Sequence, residues 1–189
     1  MIKMLGLSGS LRAKSYNSAL LRAAVELAPE GLQIEVGSIR DIPLYDADLE
    51  ERSFPPAVQV LKERIVANDG LLLVTPEYNG SLPGVFKNAI DWLSRPPADI
   101  KRVFGDRPVG LMGASAGPYG TVLSQQAWLI VLRKLGLRPW FGASLMVARA
   151  GQVFDQTGSL TDAKVHAQLT SLLKGFSTFI QECKTPAPS

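Results

Sequence analysis

At 189 residues the chain is long enough for one domain with a sizeable core. Apolar residues make up 46% and charged residues 20%, and no stretch approaches the roughly 18 apolar residues of a membrane span, so disordered and membrane-spanning classes are excluded. The formal charge of +3 is scattered, with no basic stripe interleaved with aromatics, which points away from nucleic acid and mildly toward anionic small molecules.

Alternating apolar runs and amphipathic segments fill the whole length. Residues 2–7 read as a strand, too short for a signal peptide. Residues 17–27 follow as a helix with Leu20, Ala24 and Leu27 on one face. Residues 32–36 are a second strand. A proline-containing connection, 42–56, leads to a helix carrying Val58, Leu61 and Ile65 at helical spacing. The run GLLLVT, 70–75, suits a strand buried on both faces. After Pro83 a helix turns Val85, Ala89, Trp92 and Leu93 inward.

Residues 109–113 form the fourth strand and 119–135 the next helix, and a fifth strand falls within 137–147. The last helix, 162–182, is capped by Thr161 or Asp162 and carries a stripe of Val165, Leu169, Leu172, Phe176 and Phe179. Residues 1–183 are thus one domain, and 184–189 a disordered tail. Strand–helix alternation of this kind implies a doubly wound parallel sheet of five strands in the order 2-1-3-4-5.

In such a sheet ligands bind beyond the carboxyl ends of the strands, where the strand order reverses. The loops after the first, third and fourth strands converge there. The first reads SGSLRAKSYN, 8–17: Gly9 permits close backbone approach, the next helix offers unpaired N–H groups, and Ser10, Arg12, Ser15 and Asn17 supply hydrogen bonds and charge for a phosphate. It is neither a Walker loop nor GxGxxG, and the plain structural alternative is a polar turn with Ser15 or Asn17 as N-cap. The second, TPEYNGSLPG, 75–84, has a backbone restricted by Pro76 and turned at Gly80, with Tyr78 and Asn79 between; its N–H array matches the edge of a flat heterocycle. Taken alone it is also ordinary turn punctuation. Glu77 has no second carboxylate or base nearby, so it reads as a loop residue rather than a catalytic acid. The third, GASAGPYGT, 113–121, is built of small residues that leave room for a bulky group, with Ser115 as its polar contact.

No residue is expected to be catalytic and none to bind a metal. Ser115 lacks the flanks of a nucleophile elbow, and the one histidine, His166, stands alone on the last helix. Cys183 is a lone cysteine without zinc-ligand spacing, and the expected compartment is the cytoplasm. Trp92, Trp128 and Trp140 read as core or interface packing.

On GSLRAKSYN (9–17), IPLYDADLE (42–50) and TPEYNGSLPGVFKNAIDWLSRP (75–96), the sequence resembles the NADPH-dependent FMN reductase family with its quinone, azo-dye and chromate reductase members. The resemblance implies a flavodoxin-like fold with bound FMN. Ser10, Arg12, Ser15 and Asn17 would hold its phosphate, and Pro76, Glu77, Tyr78, Asn79 and Ser115 would meet its ring. It further implies a homodimer or homotetramer whose neighbouring subunit walls the flavin pocket. Gly80 stands where relatives often carry a larger side chain, which implies a more open pocket mouth.

The activity so implied is ping-pong hydride transfer from NADPH or NADH through FMN N5 to quinones or other small electron-poor acceptors, with neither nucleic acid nor membrane as partner. Two other readings stay open at this stage. One is a flavodoxin-type electron carrier for protein partners, disfavoured by the basic charge. The other is a phosphate- or nucleotide-binding module without redox chemistry.

Overall fold

The computed structural model of the chain describes residues 1–185. Six parallel strands make one sheet: β1 (Ile2–Ser8), β2 (Leu32–Gly37), β3 (Gly70–Val74), β4 (Pro108–Ala114), β5 (Arg138–Pro139) and β6 (Leu145–Val147). Their order is β2-β1-β3-β4-β5, and β6 also pairs with β4. The order expected from sequence is therefore present, with the fifth position shared by two short strands. β5 pairs with Pro108 and Val109 at the start of β4, and β6 with Met112 to Ala114 at its end. Between them the chain leaves the ladder at Trp140, whose ring stacks on Phe176 at 5.6 Å, and turns Phe141 to the outside.

Seven helices flank the sheet among the described residues. On one face lie α1 (Tyr16–Glu26) and α7 (Ala163–Lys184); on the other lie α3 (Pro56–Ala67), α4 (Gly84–Leu93), α5 (Ile100–Val103) and α6 (Val122–Leu135), while α2 (Ala47–Arg52) sits in the connection after β2. Successive strand residues point to opposite faces, so Met4, Leu72 and Met112 join the first core and Leu5, Leu71 and Val109 the second. Because helices cover both faces, every residue of β3 is buried and its sequence is apolar without alternation.

Several elements differ from the sequence expectation. The helix after Pro83 turns Phe86 inward rather than Val85, which is exposed, and Phe86 meets Trp128 edge-on at 5.0 Å. The sixth helix begins at Val122; Tyr119 belongs to the preceding turn and is 80% exposed. On α7, Ile180 takes the buried place expected for Phe179, and Asp162, not Thr161, caps the helix by accepting from the Val165 N–H at 2.8 Å. That helix runs through Lys184, which pairs with Asp69 at 2.8 Å, so the tail expected to be disordered begins inside a helix; residues 186–189 lie outside the described residues. The short helix α2, unforeseen from sequence, starts on Asp46, whose carboxylate accepts from the Asp48 N–H.

Candidate functional site

β1 has its neighbour in sequence, β2, on one side and β3 on the other, so the chain reverses direction across the sheet at β1. The loops after β1, β3 and β4 close the crevice at this end. Gly9 extends the ladder by donating to the Val74 carbonyl at 2.9 Å, and Thr75 does the same to Met112 at 2.8 Å, so the loops leave the sheet side by side.

Ser15 is the N-cap of α1: its hydroxyl accepts from the N–H groups of Asn17 (3.2 Å) and Ser18 (3.3 Å). The N–H groups of Leu11 and of residues 13–16 donate to no acceptor among the described residues. They form an array at the positive end of an eleven-residue helix, suited to an anion. Arg12 is exposed, and its N–H donates to the Ser10 hydroxyl at 3.3 Å. Arg40 braces the outside of the loop by donating to the Leu11 carbonyl at 2.7 Å.

Asn17 has another task. It is 3% exposed, and its side chain donates to the Ala114 carbonyl at 2.8 Å and accepts from the Ala114 N–H at 2.9 Å. This paired bond ties the start of α1 to the end of β4, one residue before Ser115. The side chain is thus committed to holding the first loop against the third rather than turned toward a ligand.

The second loop closes as a two-residue hairpin. Tyr78 and Ser81 exchange both backbone hydrogen bonds at 3.0 Å, and the turn residues Asn79 and Gly80 have φ of 51° and 69°. An Asn-Gly pair is the sequence that such a turn prefers. Gly80 is therefore required by backbone geometry, whatever else it does at the pocket mouth. The N–H groups of Glu77, Asn79 and Gly80 have no acceptor among the described residues, and Tyr78 is 47% exposed. Pro76 is buried beneath them. Glu77 turns its carboxylate away from the hairpin to accept from the N–H groups of Leu123 (2.9 Å) and Ser124 (3.1 Å). A carboxylate there also meets the positive end of α6.

The third loop is pinned at its base. Ser115 donates from its backbone to Val147 and accepts from Ala150, and Gly117 accepts from Arg149, all within 2.9–3.0 Å. Beyond that base it is open: a side chain at Gly117 would meet only the Ser115 hydroxyl, at 3.7 Å. The N–H groups of Ala116 and Gly117 have no acceptor among the described residues. Beneath the crevice, buried Thr75 shares hydrogen bonds with the Ser124 hydroxyl (2.9 Å) and the Trp128 indole N–H (3.0 Å).

The nine residues expected from sequence thus sit on three loops tied to one another. Ser10, Arg12 and Ser15 surround the N–H array, Pro76, Tyr78 and Asn79 build the hairpin, and Ser115 lies opposite. Asn17 braces the first loop to the end of β4, and Glu77 ties the second loop to the start of α6. Sequence reasoning missed Thr75, Ser124, Trp128 and Arg40, which support the loops from below and outside. Only Thr75 stood within a loop singled out from sequence; the others come from distant segments without any local signal.

The site as built offers donors and space, with no acid–base pair at hydrogen-bond distance. Free backbone donors of this kind could hold a phosphate at the first loop and the polar edge of a flat ring at the second.

A family model for NADPH-dependent FMN reductase matches residues 2–152. The chain is 43% identical to an NAD(P)H-dependent FMN reductase of Pseudomonas aeruginosa, over 97% of each. It is 38% identical to a quinone reductase of Escherichia coli K12, again over 97% of each. Among solved structures it superimposes on a flavoenzyme NAD(P)H:(acceptor) oxidoreductase from Paracoccus denitrificans with a TM-score of 0.86 and 31% identity, covering 96% of this chain and 98% of that one.

Proposed function

The chain belongs to the NADPH-dependent FMN reductase family, and from that membership we propose that the three-loop crevice is its FMN site. The protein is an FMN-dependent NAD(P)H oxidoreductase, with quinones and similar electron-poor small molecules as acceptors. The observation that carries the site assignment is the array of unpartnered N–H groups at the start of α1, set at the strand-order reversal beside two further loops with free N–H groups.

In this reading the N–H groups of Leu11 and residues 13–16, the hydroxyls of Ser10 and Ser15 and the guanidinium of Arg12 bind the phosphate. The free N–H groups at Glu77, Asn79 and Gly80 orient the ring edge, and Ser115 with the bare backbone at Gly117 borders it. Tyr78 offers an aromatic wall. Asn17 and Glu77 act as positioning residues, the first holding the first loop to the end of β4 and the second holding the hairpin to the start of α6. FMN supplies the redox chemistry, accepting hydride from NAD(P)H and returning it to the acceptor. The chain accordingly needs no general base of its own.

Two finer points belong to the same proposal. Tyr78, Val85, Tyr119 and Leu123 are exposed on the loops and helix starts around the crevice, which supports a homodimer or homotetramer in which a neighbouring subunit covers them. No helix among the described residues is long and apolar enough to cross a membrane, and the cytoplasm, with its supply of reduced nicotinamide, is the compartment this reading assigns.

The test is steady-state oxidation of NADPH and NADH by FMN-loaded protein with a panel of quinones. Turnover that alternates between the two substrates is expected. FMN retention without turnover on any acceptor would instead mark an electron carrier.

A further inference from the structure

Beneath the second loop lies a group of polar side chains closed off from solvent. Thr75, Ser124 and Trp128 are all wholly buried. The Thr75 hydroxyl donates to the Pro76 carbonyl at 2.9 Å, and the same oxygen meets the Ser124 hydroxyl (2.9 Å) and the Trp128 indole N–H (3.0 Å). An indole N–H only donates, so Trp128 takes one lone pair of the Thr75 oxygen. The Thr75 proton is committed to Pro76, so Ser124 supplies the proton of its own bond and takes the other lone pair. The Thr75 O–H is thereby left a single direction. No buried side-chain polar atom among the described residues lacks a partner, in keeping with this assignment.

That direction has a consequence in the crevice. A trans peptide is planar, and its C=O and N–H point opposite ways. The one cis peptide among the described residues is Arg95–Pro96, so Pro76–Glu77 is trans. With its carbonyl drawn inward to Thr75, the Glu77 N–H must point out of the core, and no acceptor among the described residues meets it. Glu77 is gripped a second time through its carboxylate, which accepts from the Leu123 and Ser124 N–H groups. Ser124 takes part in both grips, its hydroxyl on Thr75 and its N–H on Glu77. The indole is itself fixed: Phe86 meets it edge-on at 5.0 Å and lies under the first loop, where a Cβ on Gly9 would come within 2.3 Å of the Phe86 ring.

We propose that Thr75, its hydroxyl directed by Ser124 and Trp128, is a positioning residue that aims the Glu77 N–H at the polar edge of the flavin ring and so raises the electron affinity of bound FMN. This rests on the FMN reading above. Reduction places negative charge on the ring edge, and a hydrogen bond to a charged acceptor is about twice as strong as one to a neutral acceptor. A donor held in place beforehand favours the reduced cofactor without having to reorganise when the charge arrives.

The test is the two-electron midpoint potential of the FMN-loaded protein, measured on wild type, Thr75→Val and Thr75→Ser. Thr75→Val keeps the shape and removes the hydroxyl. It is expected to lose about 10-fold in preference for reduced over oxidised FMN, a fall of about 30 mV. Thr75→Ser keeps the hydroxyl and is expected to match wild type. A residue that only supports the fold would weaken both redox forms alike and leave the potential unmoved. A Thr75→Val potential equal to wild type, or a Thr75→Ser potential as low as that of Thr75→Val, would overturn the proposal. A second measurement needs wild type alone and serves even where Thr75→Val does not fold. The Glu77 amide proton resonance is expected to move downfield on FMN binding and further on anaerobic reduction, and a resonance indifferent to reduction would overturn the proposal. Wild type that takes up no FMN would strike the FMN reading, and this inference with it.

Discussion

Asn17 and Glu77 stand at the first and second loops of the crevice, yet their side chains are turned to the protein. Asn17 pairs with both backbone groups of Ala114, and Glu77 accepts from Leu123 and Ser124. Removing the Asn17 amide leaves a buried N–H and a buried carbonyl unpaired, at about 1–3 kcal/mol each. Asn17→Ala is therefore expected to lower unfolding stability by about 2–4 kcal/mol in urea, with weaker FMN binding as a consequence. Weaker binding at unchanged stability would return Asn17 to the role of a phosphate ligand. For Glu77, Glu77→Gln keeps an oxygen acceptor for the N–H groups of α6, whereas Glu77→Ala is expected to cost about 1 kcal/mol. Equal destabilisation by the two would argue against the capping role. Neither residue's task was legible in sequence, because Ala114 is 97 positions from Asn17 and Leu123 is 46 from Glu77.

At the scale of elements, the Asn-Gly hairpin and the pairing between α3 and the residues before α5 make separate demands. Gly80→Ala forces a side chain to φ of 69°, and a loss of about 1 kcal/mol with poorer flavin retention is expected. Unchanged stability would mean that the hairpin relaxes at no cost. On the far side of the sheet, Lys62 is wholly buried on α3; its ammonium meets Asp99 at 3.0 Å, the Arg95 carbonyl, and the Phe54 ring at 4.6 Å. Lys62 and then Arg102 hold the Asp99 carboxyl below its ordinary value. A carboxyl lowered on folding stabilises the protein fully above its unfolded value, about pH 4, and that contribution is lost as pH falls through the folded value. Asp99→Asn is expected to be less stable than wild type at pH 7, by about 3 kcal/mol because it strands a buried cation, and to approach wild type in acid. A stability difference that persists unchanged below pH 3 would contradict this. Lys62 was invisible from sequence: Val58, Leu61 and Ile65 mark the buried stripe, and nothing local distinguishes a lysine beside them from a solvated one.

For the whole molecule, the order of the strands and the identity of the three loops were legible because alternation of apolar runs and amphipathic helices leaves few topologies open. The departures have local physical causes. The fifth strand breaks where Trp140 packs on Phe176 of α7, and Tyr119 stays out of α6 because Gly120, at φ of 63°, turns the chain just before the helix. The loops suggested a phosphate and a flat ring from their polar side chains and expected backbone N–H groups, without deciding against ordinary turns, whereas the bonds that tie Asn17 to Ala114 and Glu77 to α6 exist only in three dimensions.

If the start of α1 holds the phosphate of FMN, riboflavin, which lacks only that phosphate, must bind far more weakly. Quenching of flavin fluorescence on titration into the flavin-free protein gives both dissociation constants. Wild type is expected to bind FMN at least about 100-fold tighter than riboflavin, and Arg12→Ala to weaken FMN binding by about 10- to 100-fold with riboflavin unaffected, the range of a charged hydrogen bond. Equal affinity of wild type for the two flavins would contradict the assignment.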